Sequence, residues 1–204
     1  MLSPTTVFLP GASGKADFWR PIAQELAGRG PQKLLGWPGF GEEPADPSVR
    51  SLRDLAGWTL RQMPPDPANV VAQSMGGVIA AQIAIENPKR IARLVLVATS
   101  GGVDVKKLGG ADWRPDFTRE NGQLPKWFVD DRTDLTDQLE KIQIPVLLIW
   151  GDSDPISPVA VGEFLRSKLP SACLAVVPGG GHDLARTHAD ETARLIAGHL
   201  FADS

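Results

Sequence analysis

The sequence is poor in the residues that build disulfide frameworks and metal sites, and it has no excess of positive charge. Its 204 residues include one cysteine and three histidines, and the formal net charge is −3. One cysteine cannot form an internal disulfide, and so few histidines, none at ligand spacing, argue against a metal site. The negative charge disfavours nucleic acid and anionic membranes as main partners, because both select basic patches.

Long hydrophobic runs are also missing. The first apolar run, Val7-Phe8-Leu9, is too short for a signal peptide or a membrane span. The lone Cys173 falls in an apolar run and is expected in the core, which fits a reducing compartment, so we expect a cytoplasmic protein. The chain is 42% hydrophobic, enough for one sizeable core. We therefore expect a single domain over residues 1–204.

Short apolar runs typical of buried strands alternate with segments of helical pattern. Strands are predicted at 5–9, 33–37, 69–73, 93–98, 144–150 and 172–177, and helices at 17–27 (capped by Asp17), 51–63, 75–86, 158–168 and 184–200. Strands that are apolar on both faces indicate a parallel sheet covered by helices. The predicted fold class is α/β, a three-layer αβα arrangement. Its central sheet is expected to be mostly parallel, with about six strands whose carboxyl ends share one edge.

The segment 101–135 interrupts this alternation. It is rich in Gly, Asp and Lys, shows no strand pattern, and carries Trp113, Phe117, Trp127 and Phe128. Because so many aromatic side chains need something to cover, we expect this segment to pass over the active edge as a small cap. Trp113 and Trp127 are then expected to contact substrate. A disordered surface loop is the alternative.

The most informative stretch is residues 69–77, Asn-Val-Val-Ala-Gln-Ser-Met-Gly-Gly, which places Ser74 between a buried strand and a helix. A helix that folds back over its strand needs small residues two before and two after the serine, and these are Ala72 and Gly76. The turn lifts the Ser74 hydroxyl above the sheet edge and aims the first helical N–H groups at whatever it attacks. A plain helix-capping role for Ser74 is the alternative.

A serine hydroxyl becomes an effective nucleophile when a histidine, oriented by a carboxylate, accepts its proton. His182 is the preferred base because it directly follows the last predicted strand, in the glycine-rich loop Pro178-Gly-Gly-Gly-His-Asp. His188 and His199 fall in the closing helix, where a solvated or half-buried structural role is the simpler interpretation.

The carboxylate is expected between serine and histidine in chain order. The loop Gly151-Asp-Ser-Asp-Pro after the fifth strand supplies Asp152 and Asp154. Asp154 is preferred because it lies deeper in the loop and precedes Pro155, which stiffens the backbone. Asp152 is the alternative, with capping of the turn as its structural role.

Acyl transfer also needs N–H donors for the developing oxyanion. Met75, which follows the proposed nucleophile, is expected to supply one. The loop after the first strand, Pro10-Gly-Ala-Ser-Gly, is expected to supply the other from Ala12, with Gly11 and Gly14 allowing a close backbone approach. Gly11 is also expected to line the substrate site. An ordinary strand-to-helix turn is the alternative for this loop.

The order and spacing of these motifs resemble those of the α/β-hydrolase fold superfamily over nearly the whole chain. The matching stretches are Leu9-Pro-Gly-Ala-Ser-Gly, Trp37-Pro-Gly-Phe-Gly, Val71-Ala-Gln-Ser-Met-Gly-Gly, Gly151-Asp-Ser-Asp-Pro and Gly180-Gly-His. The resemblance is greatest to the small carboxylesterase and C–C bond hydrolase branches. It implies Ser74 as nucleophile, Asp154 as acid and His182 as base.

The chain departs from the family pattern at several positions. Pro10 stands where the family usually has His, Gly36 where an Asp is common, and Ala72 where the elbow's first Gly is found. The usual N-terminal antiparallel strand pair is expected to be missing, and the cap to be very short.

The expected function is that of a cofactor-free serine hydrolase that cleaves a small carboxylic ester, or a thioester, through an acyl-enzyme. The alternatives are a C–C bond hydrolase or lyase, in which Lys106, Lys107, Arg114 and Arg119 would grip a charged substrate, and a binding protein without turnover. The glycine-rich loops match no dinucleotide or phosphate-binding motif. We expect a small-molecule substrate, no nucleic-acid or membrane partner, no metal, and a monomer or homodimer.

Overall fold

The computed structural model describes residues 3–41 and 43–201. The strands in this part of the chain are, in order, β1 (Thr6–Leu9), β2 (Gln32–Leu34), β3 (Ala68–Gln73), β4 (Ile91–Val97), β5 (Val146–Gly151) and β6 (Ala172–Val177). The α-helices are α1 (Arg20–Glu25), α2 (Leu52–Gln62), α3 (Met75–Glu86), α4 (Arg114–Glu120), α5 (Val159–Lys168), α6 (Leu184–Thr187) and α7 (Ala189–Leu200). Short 3₁₀ helices lie at Ala16–Trp19, Pro88–Arg90, Val105–Leu108 and Thr136–Lys141. None of these helices is both long and apolar enough to cross a membrane.

The strands form one six-stranded sheet in the order β2-β1-β3-β4-β5-β6. Each of its five neighbouring strand pairs is parallel. All the carboxyl ends therefore lie at one edge, where the connecting loops can build a site. The predicted α/β class, with a parallel sheet of about six strands, is confirmed.

Two hydrophobic cores cover the two faces of the sheet. Leu55 of α2, Ile79 of α3 and Val161 of α5 are fully buried in one core, and Ile22 of α1 and Ile196 of α7 in the other. Adjacent residues of β3 alternate between these cores, because successive strand side chains point to opposite faces. Each such buried aliphatic side chain stabilises the fold by about 1.5–3 kcal/mol.

The prediction for the first helix was wrong in detail. The 3₁₀ helix Ala16–Trp19 precedes α1, and Asp17 lies within it instead of capping an α-helix. Pro21 occupies the first turn of α1, where its missing N–H group costs nothing, so the regular helix begins at Arg20.

The prediction of one continuous closing helix was also wrong. His188 has φ −127° and ψ 47°, outside the helical region, and separates α6 from α7. The Thr187 hydroxyl lies 2.9 Å from Nδ1 of His188. The same hydroxyl also donates to the Asp183 carbonyl at 3.4 Å, four residues earlier, and side-chain bonds of this kind often bend helices.

Cys173 is exposed, which contradicts its predicted place in the core. It lies on β6, an edge strand of the sheet that pairs only with β5 among the described strands. Val177 is the one buried residue of this strand, and Val176 is 42% exposed.

The segment 101–135 lies between β4 and β5 and contains the 3₁₀ helix Val105–Leu108 and the short helix α4. Its aromatic side chains pack around Phe128, which is 4% exposed. Ring centroids of Trp113, Phe117 and Trp127 lie 6.2, 5.5 and 5.8 Å from that of Phe128. These side chains join the core on the face of the sheet that α2, α3 and α5 cover.

Candidate active site

Ser74 occupies the sharp turn between β3 and α3. Its φ of 51° and ψ of −120° are values that residues other than glycine rarely adopt, at a cost of about 1–3 kcal/mol. The Ser74 N–H donates to the Val97 carbonyl at 3.1 Å, which ties the turn to the end of β4. Gly76 permits the fold-back, because a Cβ there would lie 2.5 Å from the Pro10 carbonyl oxygen.

His182 connects Ser74 to Asp154. Its Nε2 lies 3.0 Å from Ser74 Oγ, and its Nδ1 lies 2.8 Å from Asp154 Oδ2. The other oxygen of Asp154 accepts hydrogen bonds from the N–H groups of Ile156 at 2.8 Å and Ser157 at 3.1 Å. Asp154 is 4% exposed, whereas Ser74 and His182 are only partly buried. The structure therefore brings the three predicted residues into one hydrogen-bonded chain that opens towards solvent at Ser74.

Asp152 has a different environment. Its Oδ1 accepts the Gly179 N–H at 2.7 Å and the Ser153 hydroxyl at 3.0 Å. These bonds cap the turn and join it to the loop after β6, the structural role considered for Asp152 from the sequence.

The two remaining histidines belong to other surroundings. His188 contacts Thr187 at the break between α6 and α7. His199 lies partly buried on α7, where burial and, to a smaller extent, the positive charge of Arg93 lower its pKa below the ordinary histidine value.

The loop after β1 lies directly against the nucleophile turn. A Cβ on Gly11 would lie 3.1 Å from Ser74 Cβ and would overlap Oε1 of Gln73, so the close approach requires glycine. The Gly11 carbonyl accepts the indole N–H of Trp37 at 3.0 Å. This bond ties the loop to the segment that follows β2. Ala12 follows in the same loop, partly buried, and Met75 provides the first residue of α3. Both proposed oxyanion donors thus lie at the strand edge that carries Ser74.

Three buried polar residues near the site were not identified from the sequence. Gln73 is 3% exposed and donates from Nε2 to the His182 carbonyl at 3.3 Å, and Thr99 and Ser157 are 1% and 2% exposed. Gln73 and Thr99 come at or just after the end of an apolar strand, and Ser157 lies between two prolines. A polar residue at the end of a buried strand was the available signal.

The segment 101–135 is attached on both sides of the site. The Ala111 N–H donates to the Pro155 carbonyl at 2.8 Å, next to Asp154. On the other side the Trp127 ring lies 6.0 Å from that of Phe40, whose side chain packs against Gly14 in the loop after β1.

Trp113 and Trp127 are both partly buried. Trp113 stacks on Phe128 with an interplanar angle of 9°, and the Arg114 guanidinium lies 5.2 Å above its ring. Trp127 meets Phe128 edge-on, at an interplanar angle of 80°. Within residues 3–41 and 43–201, no three His, Cys, Asp or Glu side chains are grouped to hold a metal ion.

Comparisons with known proteins find hydrolases among the relatives of this chain. The chain is 27% identical to pimeloyl-[acyl-carrier protein] methyl ester esterase of Chromobacterium violaceum, over 97% of this chain and 94% of that protein. It is also 27% identical to 2-hydroxy-6-oxononadienedioate/2-hydroxy-6-oxononatrienedioate hydrolase 2 of Pseudomonas putida, over 94% and 84%.

Solved structures share the fold at lower identity. A hydrolase from Pseudomonas aeruginosa PA01 superposes with a TM-score of 0.81 at 19% identity, covering 98% of this chain and 90% of that one. A thermophilic esterase from Thermogutta terrifontis gives a TM-score of 0.76 at 19% identity, covering 96% and 88%. The family model described as alpha/beta hydrolase fold matches residues 4–131 and 116–189. The chain therefore belongs to the α/β-hydrolase fold family, as its sequence resemblance indicated.

Proposed function

We propose that this protein is a serine hydrolase that cleaves small carboxylic esters through an acyl-enzyme. The observation that carries the proposal is the pair of contacts made by His182, 3.0 Å to Ser74 Oγ and 2.8 Å to Asp154 Oδ2. A nucleophile, a base and an orienting acid in contact are the arrangement that activates a serine. Ester hydrolysis is further supported by the methyl ester esterase relative.

In the first step, Ser74 Oγ attacks the ester carbonyl carbon while Nε2 of His182 accepts the hydroxyl proton. Asp154 selects the required tautomer, because its carboxylate accepts the Nδ1–H group and leaves the lone pair on Nε2 facing Ser74. The buried carboxylate also stabilises the imidazolium that forms. Its second oxygen is held by two backbone N–H groups, so the orientation of Asp154 is fixed before substrate arrives.

The tetrahedral intermediate carries its negative charge on the former carbonyl oxygen. We propose the backbone N–H groups of Met75 and Ala12 as its donors, since both lie beside Ser74 at the sheet edge. As the intermediate collapses, the imidazolium returns the proton from Nε2 to the leaving alcohol. Water, deprotonated by the same nitrogen, then attacks the acyl-enzyme, and Ser74 regains its proton as the acid product leaves.

We propose that the segment 101–135 acts as a small cap and limits substrate size. Its attachment at Pro155 on one side and at Phe40 on the other supports this role. Gly11, Trp113 and Trp127 are the proposed substrate contacts. The aromatic composition of the segment favours an apolar acyl or alcohol group.

A C–C bond hydrolase is the second candidate, since the Pseudomonas putida relative is a 2-hydroxy-6-oxo-dienedioate hydrolase by name. That chemistry was expected to need polar residues in the segment 101–135 that grip a charged substrate, with Lys106, Lys107, Arg114 and Arg119 as candidates. In the structure, Lys106 pairs with Asp112 at 2.6 Å, and Arg119 pairs with Asp116 at 2.7 Å. Lys107 and Arg114 pair with Asp104 and Asp112 at 3.6 and 3.5 Å. Each of the four candidate cations thus has an acidic partner within the segment, which favours ester hydrolysis.

The acyl-enzyme can be tested by stopped-flow kinetics with p-nitrophenyl acetate. We expect a burst of about one equivalent of p-nitrophenol per enzyme if deacylation limits turnover, and steady hydrolysis of short-chain p-nitrophenyl esters in any case. Ser74→Ala should lack both. Undiminished hydrolysis by Ser74→Ala would rule out the proposed nucleophile.

A further inference from the structure

Two buried hydroxyl residues lie between the nucleophile turn and the loop that carries Asp154. Thr99 follows β4 and Ser157 follows β5, and these strands are neighbours in the sheet. With exposures of 1% and 2%, both side chains are removed from solvent. A buried hydroxyl is costly without partners, and both of these hydroxyls donate and accept hydrogen bonds.

The Thr99 side chain hydrogen-bonds to the backbone of the nucleophile turn. Its hydroxyl donates to the Ser74 carbonyl at 2.5 Å and accepts the Gly101 N–H at 3.0 Å. The Ser74 carbonyl therefore receives a side-chain donor in addition to the Gly77 N–H of the helix, at 2.9 Å. This bond fixes the peptide plane that directly follows the strained Ser74 backbone.

Ser157 continues the connection to the acid. Its hydroxyl donates to the Thr99 carbonyl at 3.0 Å and accepts the buried indole N–H of Trp150 at 3.2 Å. Its own N–H donates to Asp154 Oδ1 at 3.1 Å. A continuous chain of hydrogen bonds thus runs from Ser74 through Thr99 and Ser157 to Asp154, without passing through His182.

The backbone around Thr99 is shaped to bring it there. Ala98 has a φ of 44°, a conformation that is costly for a residue with a Cβ. Gly77 provides the space on the helix side, since a Cβ there would lie 2.6 Å from Thr99 Cβ. Strain at Ala98 and Ser74, on both sides of the Thr99 hydrogen bond, indicates that the surrounding structure enforces this contact.

We propose that Thr99 and Ser157 are positioning residues that set the distance between Ser74 and Asp154. His182 must contact both at once, so this distance decides whether its two hydrogen bonds form together. The inference rests on the proposed function, because it assigns these residues a role in the same acyl transfer. A displacement of about 1 Å in such a site can cost roughly a hundredfold in rate.

The test compares Thr99→Val, which keeps the shape and removes the hydroxyl, with Thr99→Ser, which keeps the hydroxyl. Thr59→Val is the matched control: Thr59 is 0% exposed in α2, and its hydroxyl has no hydrogen-bond partner among the described residues. We measure kcat and KM on a short-chain p-nitrophenyl ester, per Ser74 site titrated with a fluorophosphonate, so that misfolded protein does not count.

Thr99→Val should lower kcat roughly tenfold with KM changed by less than about twofold. Thr99→Ser and Thr59→Val should stay within about twofold of wild type. Ser157→Ala should also lose roughly tenfold in kcat, and the double variant Thr99→Val/Ser157→Ala should lose about as much as either alone, because both break one chain.

The outcomes separate this inference from the function on which it rests. Wild-type kcat in Thr99→Val, or losses that multiply in the double variant, would overturn the positioning role while leaving the hydrolase standing. A wild-type protein that neither labels at Ser74 nor turns over ester would overturn the proposed function, and the positioning role with it.

Discussion

His182 Nε2 lies 3.0 Å from Ser74 Oγ across a separation of 108 residues in sequence. Ser74 follows β3, and His182 follows β6, with β4 and β5 between them in the sheet. The loop after β6 therefore has to fold back across the end of β5.

Two glycines allow that fold-back. A Cβ on Gly151, at the end of β5, would overlap the carbonyl of Gly180 in the histidine loop. The Ser153 N–H donates to the same carbonyl at 2.9 Å, which pins the loop in place. The contact between base and nucleophile thus depends on backbone packing two strands away from Ser74.

The strained backbone of Ser74 predicts a stability difference between two inactive variants. Ser74→Gly relieves a strain of about 1–3 kcal/mol but adds about 0.5–1 kcal/mol of unfolded-state entropy, whereas Ser74→Ala keeps the strain. We expect urea unfolding to show Ser74→Gly as more stable than Ser74→Ala by roughly 1 kcal/mol. Equal stabilities would mean that the turn stores no strain.

The choice between the two aspartates predicts an order of activities. Asp154→Asn should lower kcat by roughly 10²- to 10⁴-fold, because the amide cannot fix the required tautomer of His182 or stabilise its charged form. Asp152→Asn keeps an oxygen that can accept the Gly179 N–H, so its kcat should fall by less than about tenfold. Steady-state kinetics of both variants measure this order. A larger loss of kcat in Asp152→Asn than in Asp154→Asn would show Asp152 to be the acid.

His199 predicts a pH dependence of stability. Burial lowers its pKa in the folded protein, so below the unfolded value of about 6.5 the unfolded chain binds more protons at this position. Its contribution to stability is therefore full above that pH and is lost as the pH falls. Urea unfolding at pH 7.5 and 5.5 should show wild type losing more free energy of unfolding than His199→Gln. An equal loss in both proteins would contradict the assignment.

The packing around Phe128 predicts that the segment 101–135 can be loosened by a single substitution. Phe128→Ala removes the ring on which the aromatic cluster converges, a loss of about 3–5 kcal/mol in packing. We expect faster tryptic cleavage at the exposed Arg119 and Lys126 and a KM raised several-fold for long-chain esters. Phe201→Ala, whose partly buried ring packs against the core on the opposite face of the sheet, is the control and should leave both unchanged. Wild-type proteolysis and KM in Phe128→Ala would argue against a cap.

The sheet, most helix positions and the family followed from the sequence because buried parallel strands leave strong local signals. β3 and β5 have apolar central residues and are bounded by turns, so their places are apparent without tertiary information. The glycines around Ser74 are dictated by close backbone approach, which makes the elbow recognisable as well.

The remaining features depend on contacts that a local pattern does not contain. Cys173 looks like a core residue until the strand order shows that β6 is an edge. Thr99 and Ser157 are 58 residues apart, and only the neighbouring positions of β4 and β5 bring them together. The packing of the segment 101–135 likewise rests on Phe40, which lies far away in the chain.

Labelling with a fluorophosphonate probe followed by peptide mapping decides whether Ser74 is an activated nucleophile, since the probe reacts only with a serine activated by an assembled base. We expect stoichiometric label on Ser74, none in Ser74→Ala, and strongly slowed labelling in His182→Ala. Folded wild-type protein that stays unlabelled, or that carries the label on another serine, would contradict it.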